Sequence, residues 1–193
     1  MTVTAEDLGF ALACVDATIG PRTGADWTRP AGDLDWDCRQ TAEHVGDVLL
    51  SYAAQLVSRP KDHYVRFLAK ADEGATPEEL LEFALTGVRL LQAAVSVSTP
   101  DVRAYHPTGF ADPEGFAAMG CAELLLHGDD LARGLGTELD PPREVCARVV
   151  ARLFPDEAEA SDPWDGLRWC TGRLELPGRS RRAEWKWRGA PLV

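Results

Sequence analysis

The sequence predicts an all-α protein: four long helices, a shorter helical coda and a small β-hairpin near the C-terminus. Three observations lead there. Apolar residues recur at spacings of three and four through four long segments, the period of a helix face turned to a core. Thr or Asp followed at once by Pro marks several starts, where a side-chain oxygen caps free N–H groups and Pro fits the first turn. Gly and Pro clusters separate the segments, and only the tail shows the alternation of a strand.

Each element follows from its own residues. Thr4 caps a first helix with Leu8, Ala11, Leu12, Val15 and Ile19 inward, ended by Gly20-Pro21. Residues 23–36, rich in Gly, Pro and Asp, read as an ordered loop. Asp37 is the expected N-cap of a second helix, and Gln40 completes a capping box. That helix runs to about Ser58 with Val45, Val48, Leu49, Tyr52 and Leu56 inward. His63 to Phe67 is short, aromatic and alternating, so an extended piece or an irregular crossing is expected. Thr76-Pro77-Glu78-Glu79 is the best helix start: a cap, Pro at the first position, and acids on the positive end of the dipole. Leu80, Leu81, Ala84, Leu85, Val88, Leu91 and Val95 follow on one face. After a loop over 98–111, Asp112-Pro113-Glu114 starts a fourth helix through Phe116, Met119, Glu123, Leu126, His127 and Leu131 to Gly134. Pro141-Pro142 opens a fifth helix ending near Phe154-Pro155, and Asp162-Pro163-Trp164 opens a short sixth. Leu174 to Leu176, a Pro177–Ser180 turn and Ala183 to Trp187 read as the hairpin. The expected division is a helical body over 1–155 and an appendage over 156–193 packed on it.

Composition narrows the function classes. The 193 residues carry 20 basic and 31 acidic side chains, net −11, which argues against a phosphate-backbone partner. The charge is uneven: residues from Arg168 onward are net +5, leaving −16 before them. The basic tail is thus expected to pair with the acidic remainder, within the chain or across a dimer. Five widely spaced cysteines without a C-x-x-C pair support neither a disulfide framework nor a zinc ribbon. The N-terminal residues lack signal-peptide character and no run of 18 apolar residues occurs, so a soluble cytoplasmic protein without a membrane partner is expected. Seventeen Arg, three Lys and no Asn point to a GC-rich genome rather than to a physical demand.

Glycine-rich phosphate loops, G-x-S-x-G and H-E-x-x-H are absent, which leaves four histidines as the sparse chemical vocabulary. Glu123 and His127 are four apart on the fourth helix, so both leave one face, a turn apart. A carboxylate and an imidazole placed so can hold one divalent ion. His44 points inward from the second helix. It is either a core histidine satisfied by a carbonyl or by Glu123, or a third metal ligand. Asp130, three after His127, either orients that imidazole or ends the helix in solvent. Arg66 is a surface arginine or a partner for a substrate carboxylate, and His106 a loop residue or part of a substrate pocket. Cys38 and Cys121 adjoin the ligands in sequence but not by helical angle, and read as buried inert thiols.

Two segments carry a resemblance. Trp36-Asp37-Cys38-Arg39-Gln40-Thr41-Ala42-Glu43-His44 resembles the loop-to-helix start of the DinB-like superfamily, and Ala122-Glu123 through His127 to Asp130 resembles its fourth-helix E-x-x-x-H-x-x-D segment. The order fits best the N-terminal domain of mycothiol-dependent maleylpyruvate isomerases, over about Ala5 to Arg133. Asp162-Pro163-Trp164, Trp169, Thr171-Gly172-Arg173 and Trp185-Lys186-Trp187 resemble the tail of a related actinobacterial group. The resemblance implies a four-helix bundle holding a divalent metal, zinc or else nickel or another ion, on His44, Glu123 and His127. It also implies a low-molecular-weight thiol, mycothiol or an analogue, deprotonated at the metal and added to a small electrophile. The isomerase carries a larger C-terminal domain that this sequence replaces with a helix and a hairpin, so S-transfer fits better than isomerisation. A non-catalytic metal- or ligand-binding protein, monomeric or homodimeric, and a metal-assisted hydrolase are the alternatives.

Overall fold

Caps set where the helices begin. In a computed structural model, which describes residues 2–157 and 160–192, α1 (Ala5–Ile19) starts after Thr4, whose N–H donates to Asp7 Oδ2 at 2.8 Å. After a 3-10 turn over Gly20–Arg22, α2 (Cys38–Ser58) follows Asp37, whose carboxylate accepts from the Gln40 N–H. Thr76 caps α3 (Pro77–Val97) and Asp112 caps α4 (Pro113–Gly134), each with Pro in the first turn. The shorter α5 (Arg143–Leu153) begins at Pro142 without a side-chain cap, and Asp162 caps α6 (Pro163–Cys170). These are the six α-helices among the described residues, where no strand occurs, so the fold is all-α.

The first four helices pack on one another. All four meet at Gly120, where a Cβ would lie 2.5 Å from Leu91, 3.1 Å from Leu8 and 3.4 Å from Leu49. Only glycine admits three leucines that close. Contact order along the helices gives their directions. Gly46 abuts Phe83 and Gly87 abuts Leu49, so α2 and α3 run parallel. His44 meets His127 while Tyr52 meets Phe116, so α2 and α4 run antiparallel. A parallel neighbour requires the chain to travel back the length of a helix. Residues 59–76 do this as an irregular crossing, the second of the two forms expected for His63 to Phe67. Fully buried Gln55 clamps that crossing: its Nε2 donates to the carbonyls of His63 and Tyr105, and its Oε1 accepts from the Val65 N–H at 2.9 Å.

The tail corrects one expectation. Leu176 and Arg179 exchange N–H···O bonds of 2.9 and 2.8 Å around Pro177-Gly178, and Gly178 takes the φ of +75° that this turn needs. No strand pairing extends from the turn, so the hairpin over 174–187 is absent. The second arm is held elsewhere instead. Trp169 Nε1 donates to the Ser180 carbonyl, Arg181 to the Gly172 carbonyl, and Arg182 to Glu157 at 2.6 Å. Each bond ties the residues leading into the second arm to α6, to the turn after it or to the turn after α5, rather than to the partner arm. Farther on, buried Arg152 of α5 donates to Asp112 and to the carbonyls of Arg188 and Gly189, pinning the tail to the start of α4. The Arg188 and Gly189 N–H groups bind the Leu153 and Thr108 carbonyls.

Candidate metal centre

The Asp37–Gln40 box fixes the phase of α2 and turns His44 toward α4. There its Nε2 lies 3.6 Å from Glu123 Oε2, and His127 Nε2 lies 3.4 Å from the same oxygen. The three donor atoms fall within 4.8 Å of one another, and the group could hold a metal ion. Those separations exceed a good hydrogen bond. Donors about 2.1 Å from one tetrahedral ion stand roughly 3.4 Å apart, so the donor set fits a shared divalent cation. The imidazole rings meet edge to face at 4.9 Å, and Trp36 lies beside them, 5.0 Å from His44 and 6.4 Å from His127.

Outer partners hold two of the three residues, Glu123 and His127. The Tyr52 phenol donates to Glu123 Oε1 at 3.3 Å, leaving Oε2 to the imidazoles. His127 Nδ1 faces Asp130 Oδ2 at 3.1 Å, and Arg173 from the tail donates to the same carboxylate at 2.9 Å. Asp130 is thus buried beside the imidazole rather than solvated at the helix end, and a carboxylate so placed can hold Nδ1–H and leave the Nε2 lone pair to the centre. Burial works to raise Glu123, but the two imidazoles facing its carboxylate overcome it and hold the carboxyl at about 2. Burial likewise opposes a charged His127, yet Asp130 and Glu123 raise its pKa. Asp130 is lowered against its burial by His127 and Arg173.

The remaining sequence candidates divide. His106 lies in the loop between α3 and α4, but it is only 7% exposed and packs among Tyr52, Tyr64, Phe116 and Trp187 in an aromatic wall. The Thr108 N–H donates to its Nδ1 at 3.1 Å, which places the proton of the neutral ring on Nε2. Burial brings its pKa down to about 4, with Lys186 assisting and Glu123 opposing. Arg66 is exposed on the crossing, and among the described residues no hydrogen bond or ion pair ties it to the cluster. Cys38 and Cys121 are buried, as expected; burial pushes Cys38 to about 11 and Cys121 well above the ordinary thiol range.

Three contributors escape the sequence reading: Trp36, the tie from Tyr52 to Glu123, and Arg173. Tyr52 carries a signal, since it is eight residues after His44 on one helix face and a buried phenol needs a partner. Arg173 carries none, being 43 residues from Asp130. No protein family, curated protein or solved structure matches this chain.

Proposed function

We propose that the chain is a DinB-like four-helix bundle that uses a divalent ion, zinc in the first instance, to transfer a low-molecular-weight thiol of the mycothiol type to a small electrophile. The observation that carries this reading is the His44–Glu123–His127 group with its outer partners. The parallel α2–α3 pair with its long crossing supports the bundle. Bound there, a divalent ion would lower the pKa of a coordinated thiol or water toward neutrality, so that the proton passes to solvent near neutral pH.

The chain's own residues do the rest. His44, Glu123 and His127 bind, Asp130 and Arg173 orient His127, and Tyr52 orients Glu123. His106 offers an N–H to a carbonyl or carboxylate oxygen of the electrophile. The nucleophile comes from outside the chain: burial raises the pKa of Cys14, Cys38, Cys121, Cys146 and Cys170 alike, so none is a thiolate near neutral pH.

Metal analysis of the purified protein is the first test. A stoichiometric divalent metal is expected, and it is lost in His44→Ala and His127→Ala; metal-free protein in every preparation defeats the proposal. Mycothiol consumption with a maleyl or haloaromatic electrophile then separates the alternatives. Electrophile hydrolysed without thiol identifies a hydrolase, and metal binding with neither activity identifies a binding protein.

A further inference from the structure

α2 and α3 each carry two apolar stripes. The inward stripes make the core. The outward ones are Leu50, Ala54 and Val57 on α2, and Leu90, Ala93 and Val97 on α3. Because the helices are parallel, these stripes lie side by side and, with Phe67 of the crossing, line one open apolar groove. Val97 is 82% exposed, Val57 71% and the neighbouring Leu68 68%, which is far from the usual surface of a helix. A helix apolar on both sides is the pattern of one buried on both sides. The same excess makes α3 long and apolar enough, by length and composition, to cross a membrane, although its inward face is core.

We infer that this groove is a homodimer interface, with α2 and α3 of a second copy laid across it about a two-fold axis. The exposed apolar side chains amount to something on the order of 500 Å², the scale of a dry interface centre within the roughly 800 Å² per partner of a standard dimer. Their relief is self-complementary. Ala53, Ala54, Ala93 and Ala94 form a furrow between the ridges of Leu50, Val57, Leu90 and Val97, and a two-fold contact needs ridges and furrow on one surface. Exposed charges close to the stripes along the chain have both signs, Arg59 and Arg89 with Asp62, which suits a surface meeting its own reverse. A lipid surface is a poorer occupant, since a protein of net −11 with three lysines lacks the basic surround that anionic headgroups attract. Ala53 sits nine residues after His44, half a turn around α2, so dimerisation leaves the metal cluster uncovered.

Light scattering on the size-fractionated full-length chain, from micromolar to submillimolar concentration, tests this. Twice the 21.0 kDa chain mass is expected, with dissociation on dilution. The double variant Leu90→Glu/Val97→Glu, and independently Val57→Lys, weakens association at least about a hundredfold because a charge is buried unpaired. Helicity by circular dichroism and metal content stay unchanged, since these side chains are exposed and belong neither to the buried core nor to the cluster. Wild-type protein at 21.0 kDa throughout overturns the inference, as does a dimer that survives both variants. A monomer that co-sediments with phosphatidylcholine/phosphatidylglycerol vesicles also overturns it, in favour of a membrane.

Discussion

The two faces of α2 depart from the ordinary helix in opposite directions. Its inner face places His44, Tyr52 and Gln55 where apolar residues belong; its outer face places Leu50, Ala54 and Val57 where polar residues belong. Inside, the polar departures are resolved within the chain: Tyr52 reaches Glu123, Gln55 fills its amide with three backbone bonds, and the imidazoles flank one carboxylate. Outside, no described residue closes over the apolar departure. An unpartnered buried polar group costs about 2–7 kcal/mol, whereas an exposed valine or leucine forgoes only about 1.5–3 kcal/mol of burial. The inner anomaly must therefore be answered for the chain to fold, while the outer one can wait for a second molecule. That contrast separates a site from an interface.

The sharpest break is at Glu123. Glu123→Gln removes the charge both imidazoles face, and metal affinity by calorimetry falls by more than about a hundredfold, beyond what loss of an outer partner costs. Affinity unchanged in that variant would reduce the inner face to a polar core. Next in size is His106. Its folded pKa of about 4 lies below an unfolded value near 6.5, so the unfolded chain takes up a proton first as pH falls. Stability is intact above about pH 6.5 and declines toward pH 4, by up to about 3 kcal/mol. Urea titrations across that window show a shallower decline in His106→Gln. Arg173→Ala comes third: Asp130 loses the cation that steadies it, and metal affinity drops roughly tenfold, within the 10–100-fold range for such partners.

How much of this was legible follows from distance along the chain. Helix starts could be read because cap, Pro and apolar period lie within one turn of each other in three of them, as in Thr76-Pro77-Glu78-Glu79, and cap and period do so at Thr4 and Asp37. Glu123 and His127 could be paired by the turn of one helix, but choosing His44 as their third partner over a core histidine needed the resemblance, since no local pattern tells which helices face each other. Arg173 was invisible for the same reason. The hairpin failed because alternation and a Pro-Gly turn specify an extended arm but not its partner. Trp169, Arg181 and Arg182 drew the second arm to α6 and Glu157 instead. The parallel course of α2 and α3 left no trace either, being fixed by Gly46 and Gly87, whose close contacts lie across the interface.

The smallest effect is also the finest probe of the contrast. Leu90 and Leu91 are adjacent on α3, yet Leu91 is fully buried against Gly120 and Leu90 is 47% exposed in the groove. Leu91→Ala empties a site that α1, α2 and α4 all pack against, and costs about 3 kcal/mol whether the chain is monomeric or dimeric. Leu90→Ala leaves a monomer within about 0.5 kcal/mol of its original stability, because a partly exposed side chain has little packing to lose. In a dimer the same change costs more, and the cost fades on dilution as the second copy leaves. Denaturant midpoints of both variants at high and low protein concentration read this directly. A Leu90→Ala penalty that ignores concentration would place the partner of that stripe within the chain, and the two faces of the helix pair would no longer differ in kind.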